Sequence, residues 1–216
     1  MKVINKTISD GETSVELDLF EGRTLKRAAK KRIQEEVGQY LVEQTLIAMN
    51  EKKTPVQGGS FASTLTSDSY KKLKKAEVGS TEANLEFTGT MKDELDFEAT
   101  ENGIAIGVFG DRAGAADGHN NLSGKSSLPK RQFLPDEGQN YKKNIQQEVQ
   151  RIIADIVAEE TSFDETDFEG ITTKKELYDK LKEIFGPMSR AELAVAVFRN
   201  EDLTNILKSL DLIGLI

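Results

Sequence analysis

The sequence predicts an α+β protein in which long helices pack on a small antiparallel β-sheet with a central hairpin, followed by a C-terminal all-helical extension. Three observations carry this expectation. Short stretches near residues 3–20 and 93–109 alternate apolar with polar residues, as half-buried strands do. Two long stretches, near 23–50 and 140–160, repeat apolar residues every three or four positions. Beyond residue 172, Thr173 to Glu176 and Ser189 to Glu192 each fit a helix capping box.

In chain order, VINKTI and SVELDLF flank the turn-rich SDGE and read as a short hairpin. The helix expected from about Arg23 to Asn50 carries a stripe of Leu25, Ala29, Ile33, Val37, Tyr40 and Leu41. Its first half also bears Arg23, Lys26, Arg27, Lys30, Lys31 and Arg32, either a solvated face or a contact for an acidic partner or nucleic acid. TPVQGGS breaks the helix, and a capped short helix through Tyr70, Leu73 and Ala76 follows. In DELDFEATENGIAIGVF, Leu95, Phe97 and Ala99 alternate outward, and Ile104, Ile106 and Val108 alternate on the return. Asn102-Gly103 between them is a pair suited to a two-residue turn with positive φ. GDRAGAADGHNN reads as a polar loop. A second strong helix then presents Ile145, Val149, Ile152, Ile153 and Ile156 on one face. TSFDETDFEG reads as a linker, and two or three short helices close the chain. Leu193, Ala194, Val197 and Phe198 form one apolar face there, and Ile206, Leu207, Leu210 and Ile213 another. The domain organisation expected is 1–160 as an α+β body, 161–172 as an acidic linker and 173–216 as a small helical domain.

Composition narrows the chemistry. The 216 residues hold no cysteine and one histidine, which excludes disulfides, thiolate catalysis and a histidine-rich metal centre. A net charge of −8 argues against a broad nucleic-acid face. The N-terminus MKVINKTISD lacks a secretory apolar segment, and no apolar run approaches the roughly 18 residues of a membrane span. The expectation is a cytosolic, soluble product.

The histidine lies in HNNLSGKSSLPKRQFL, residues 119–134, beside a Gly-Lys-Ser triplet. A phosphate-binding loop requires four residues between its glycines, whereas Gly118 and Gly124 are separated by five; Pro129 also blocks a helix after Ser126. Ser123, Ser126 and Asp117 are near His119, but without a nucleophile elbow around them. The Leu128-Pro129-Lys130-Arg131-Gln132-Phe133-Leu134 run reads as an extended arm, with two roles open: core packing or an intersubunit contact. No catalytic, cofactor-binding or metal-ligating residue is expected. The assembly-interface candidates are His119, Leu128, Pro129, Arg131, Phe133 and Leu134.

In order, these residues resemble the phage virion morphogenesis family, the tail completion or neck proteins of Mu-like and other tailed phages. Leu65-Thr66-Ser67 with Tyr70 and Lys71 is similar to the family's pLs-x-x-Y-x-x-K. Leu85-Glu86-Phe87-Thr88-Gly89-Thr90-Met91 is similar to L-x-x-T-G-x-L before a hairpin, with Met91 in place of the usual residue. His119 and Gly124 match a His followed by Gly, and Leu128, Pro129, Arg131, Phe133 and Leu134 match iP-x-R-x-F-L. The likeness spans about residues 20–160, and the helices after Thr161 have no counterpart in it. It implies a non-enzymatic virion protein of the head–tail junction, forming a ring of identical copies, hexameric or dodecameric. The partners implied are neighbouring neck, connector or tail tube proteins and genomic DNA passing without sequence recognition, with no membrane. The alternative class is a small DNA-binding or regulatory protein using the basic first helix or the C-terminal helices.

Overall fold

The computed structural model describes residues 1–21, 23, 25–62, 67–79, 81, 85, 90–160 and 163–216. It is α+β, as expected. Strands β1 (Lys2–Ile8), β2 (Glu12–Asp18), β3 (Leu95–Ala99) and β4 (Gly103–Phe109) form one antiparallel sheet in the order β1-β2-β4-β3. The helices among the described residues are α1 (Arg27–Asn50), α2 (Asp68–Val78), α3 (Thr90–Asp93), α4 (Ala113–Asn120), α5 (Lys143–Glu160), α6 (Lys174–Phe185), α7 (Arg190–Arg199) and α8 (Glu201–Ser209).

Register explains why the alternating stretches became strands. Leu17 pairs with Ile104, Val15 with Ile106 and Thr13 with Val108, so one face collects the buried apolar side chains of β2 and β4, while Ser14 is buried on the other. Leu95, opposite Val108, extends the same layer onto β3.

The turn between β3 and β4 differs from the expected one. It is centred on Glu101 and Asn102: the Thr100 amide donates to the Gly103 carbonyl at 2.9 Å, and the Gly103 amide donates to Thr100 Oγ1 at 3.1 Å. Neither Asn102 nor Gly103 has positive φ. Gly103 is instead required by close approach, because a Cβ there would lie 2.1 Å from the Leu17 carbonyl oxygen. Gly103→Ala is therefore expected to force β2 and β4 apart and to lower stability by about 1–3 kcal/mol. Urea unfolding reads this directly, and an unchanged midpoint would contradict so tight a pairing.

Contacts divide the chain into two compact units: 1–19 with 34–147, and 20–33 with 148–216. The boundaries fall inside α1 and α5 and not at an acidic linker, because both helices carry buried residues along their whole length. In α1 these recur at every fourth position, with Ala29 and Ile33 in the second unit and Val37, Leu41, Thr45 and Met49 in the first. In the first unit Gly38 of α1 lets the Phe97 ring lie on the helix backbone, 2.3 Å from where a Cβ would sit.

The second unit is all helical. Both expected capping boxes are present, with Thr173 and Ser189 each bonding the N3 amide while Glu176 and Glu192 return the bond. The segment expected as a linker contains a 3-10 turn, Glu165–Phe168, capped by Asp164. Phe168 is 1% exposed there, and Phe163 stacks obliquely on Phe168 and Phe185 with ring centroids 6.4 and 6.3 Å away. Two aromatic contacts order what acidity and the lack of periodicity suggest is a linker. The buried face of α7 is Leu193, Ala196 and Val197, with Phe198 61% exposed, and that of α8 is Leu203, Thr204 and Leu207. The apolar faces expected from composition were thus rotated by about one residue.

Candidate assembly surface

The stretch expected as a Gly/Ala/Asp/Asn loop, residues 110–121, folds mostly into α4. Alanine is the strongest helix former, and Ala113 and Ala116 are small enough to bring the helix close to the sheet. Thr13 Oγ1 of β2 donates to the Ala113 carbonyl at 2.7 Å. Asn121 ends α4 with φ of 57°, a conformation asparagine tolerates.

After α4 the chain is tied down by its own side chains. Asp117 Oδ1 accepts from the Ser123 amide and Asn121 Oδ1 from the Ser126 amide, at 2.8 and 2.9 Å. Ser126 Oγ donates to the Gly118 carbonyl and accepts from the Leu128 amide. The Lys125 amide donates to Ser123 Oγ. Hence the amides of the Gly-Lys-Ser region that would cradle a phosphate are already committed to intramolecular acceptors.

The arm then runs extended against residues 60–62. The Gln132 amide donates to the Ser60 carbonyl and the Ala62 amide to the Lys130 carbonyl, each at 2.9 Å, around a bridge between Phe61 and Arg131. Further along, Val56 bridges Tyr141 in the same antiparallel sense. Asn120, wholly buried at the end of α4, locks the arm in place. Its Oδ1 accepts from both the Phe133 and Leu134 amides at 2.8 Å, and its Nδ2 donates to the Ala116 carbonyl at 2.9 Å.

His119 sits one residue earlier and faces Arg131. Arg131 Nη1 is 3.4 Å from His119 Nδ1, and Arg131 Nε donates to the Ala62 carbonyl at 3.0 Å. An arginine only donates, so Nδ1 is the unprotonated nitrogen of the ring. Burial, and then the charge of Arg131, push His119 down to about 4. Ser126 donates its hydroxyl to the Gly118 carbonyl and not to His119, so these two do not form a Ser–His pair. Among the described residues no group of His, Asp and Glu could hold a metal ion, and no helix is long and apolar enough to cross a membrane.

The depressed His119 value has a pH consequence. The unfolded histidine takes up a proton near pH 6.5, whereas the folded one does so only near 4. Between those values the unfolded state binds more protons, so stability falls as pH falls from 6.5 to 4 and is fully present above 6.5. The contribution is roughly 2–3 kcal/mol. His119→Gln, which never charges, should remove that part of the slope. Equal acid sensitivity in the two proteins, measured by urea midpoints from pH 7 to 4, would count against it.

The six candidates thus separate. Arg131, Phe133 and Leu134 are 4%, 0% and 0% exposed and serve packing within the chain. His119 and Pro129 are half-buried, and Leu128 alone is well exposed, at 48%. Asn120 and Gln132, which position the arm, were missed because an asparagine in a Gly/Asn-rich string has the same composition as a turn. Of the other motifs, Leu65, Thr66 and residues 86–89 lie outside the described residues. Comparison with protein-family models, curated proteins and solved structures finds no match to the chain.

Proposed function

We propose that this chain is a non-enzymatic structural protein of a tailed-phage virion, a neck or tail completion protein that forms a ring around the DNA channel at the head–tail junction. The observation that carries the reading is the ordered series of short motifs from Leu65 to Leu134. The last of these, His119 through Leu134, is a single hydrogen-bonded unit in which Asn120, Arg131, Phe133 and Leu134 depend on one another. Such a clasp has the properties of a rigid subunit scaffold: buried, ordered within the chain, and free of an acid–base or metal constellation.

The DNA-binding alternative draws less support. Of the basic run on α1, Arg32 is paired with Glu159 and Glu160, and Lys30 lies 5.1 Å from the centre of the Phe20 ring. Both are spent inside the second unit. An arginine already paired with two carboxylates has less charge to offer to phosphates, and the chain as a whole carries a net charge of −8.

The test is electron microscopy of particles from a phage whose copy of this gene is disrupted. Filled heads beside separate, full-length tails are the expected result, and overlong or frayed tails would narrow the role to a tail terminator. Normal infectious particles would overturn the reading.

A further inference from the structure

Two helices, α7 of the second unit and α2 of the first, carry large apolar side chains that are well exposed, and the charged residues near them differ in sign. On α7, Ala191, Ala194, Val195 and Phe198 fall at the i, i+3, i+4, i+7 spacing of one face, with Val195 51% and Phe198 61% exposed. Next to Arg199, a groove of about 550 Å³ opens, lined by Arg151, Asp155, Glu159, Arg199, Glu201 and Asp202. Both arginines are spent on Asp155, at 2.8 and 2.9 Å. Glu201 and Asp202 are exposed and have no cationic partner among the described residues, so this groove, which begins one residue after Phe198, is net negative.

α2 has the opposite character. Its sequence DSYKKLKKAEV places Leu73, 50% exposed, and Ala76 one turn apart on an outer face, flanked by exposed Lys72 and Lys75. Lys71 is occupied by Asp68 at 2.9 Å. A lysine-flanked leucine ridge and a phenylalanine–valine ridge beside carboxylates are what two faces of one heterologous contact require.

We propose that copies of the chain join head to tail, with the Val195–Phe198 face of α7 and the carboxylates of Glu201 and Asp202 on one copy receiving α2 of the next. This rests on the ring reading above and names the contact that builds it. Because the two surfaces differ, each copy offers one donor and one acceptor face, the arrangement that repeats around a ring. Phe198 and Leu73 form the apolar centre, and Lys72, Lys75, Glu201 and Asp202 form the charged rim that fixes orientation.

The test uses the full chain, with assembly followed by analytical ultracentrifugation over a concentration series and rings visualised by electron microscopy. Lys72→Glu with Lys75→Glu, Glu201→Lys, Leu73→Ser and Phe198→Ser are each expected to weaken assembly by about tenfold or more. All five residues are exposed, so each of the four variants should melt like the wild type, and any one that does not is replaced by the others. Combining Lys72→Glu with Glu201→Lys should assemble better than either alone. Rings that persist unchanged in the variants overturn this contact and leave the ring reading standing. A wild-type chain that stays monomeric throughout overturns both. Variants that form normal rings but no longer engage tails would give these faces to a neighbouring protein and also overturn the contact. Loss of DNA retention with intact rings would give α2 to nucleic acid, again against it.

Discussion

Asn120→Ala is expected to destabilise the first unit by about 2–5 kcal/mol, because it orphans the Phe133 and Leu134 amides in the core. Both amides are 2.8 Å from the same side-chain oxygen, and both residues are wholly buried, so water cannot replace the lost acceptor. The Ala116 carbonyl loses a second donor as well, at lower cost, since it remains at the end of a helix. Against a typical stability of about 5–15 kcal/mol, the change corresponds to a fall in melting temperature of roughly 5–20 °C. Hydrogen exchange locates the effect: the Phe133 and Leu134 amides should pass from the slowest exchanging to among the fastest. Asn120→Leu restores volume but not the acceptor and should rescue little. A melting temperature within about 2 °C of the wild type would show that the arm is held by packing alone.

The second large effect is expected on removing residues 161–216. Were the C-terminal helices a free-standing domain, the remaining α+β body would stay soluble. The compact unit that holds α6, α7 and α8 also holds residues 20–33 and 148–160, and this reverses the expectation. Val149, Ile153, Ile156 and Val157 of α5, together with Ala29 and Ile33 of α1, are buried in the intact chain, none more than 3% exposed. Truncation deletes the helices of their own unit and leaves a contiguous apolar patch on two helices, which drives association. The shortened chain should aggregate or bind a hydrophobic dye strongly on expression. A monodisperse truncated protein with one sharp thermal transition would show that the first unit covers those residues unaided.

The pattern-rich parts of the chain were legible in the sequence because their physics is local. The period-two alternation of Ile104, Ile106 and Val108 needs only a pleat, and the capping boxes at Thr173 and Ser189 need only the four residues that form them. What was misread depended on distant partners. Gly103 follows Asn102 in a typical turn pair, yet its role is set by the Leu17 carbonyl across the sheet. Residues 110–121 have loop composition, but Thr13 and the buried faces of Ala113 and Ala116 hold them as a helix. The acidic stretch around Phe168 is ordered by Phe163 and Phe185.

The same division runs through the candidate site. The sequence determined that the chain lacks a cysteine, a histidine cluster and a phosphate-loop spacing, that it is α+β, and that the arm from Leu128 to Leu134 is extended. Tertiary structure decided which residues of that arm turn inward. Phe133 and Leu134 go to the core because one asparagine, itself buried, supplies the acceptor their amides need, and Arg131 follows because its amide finds the His119 carbonyl and its side chain the Ala62 carbonyl and a neutral histidine. Hydrophobic pattern specifies the period of burial, which is a property of neighbours in sequence. The satisfaction of buried polar groups is a property of neighbours in space, and only the folded chain assigns it.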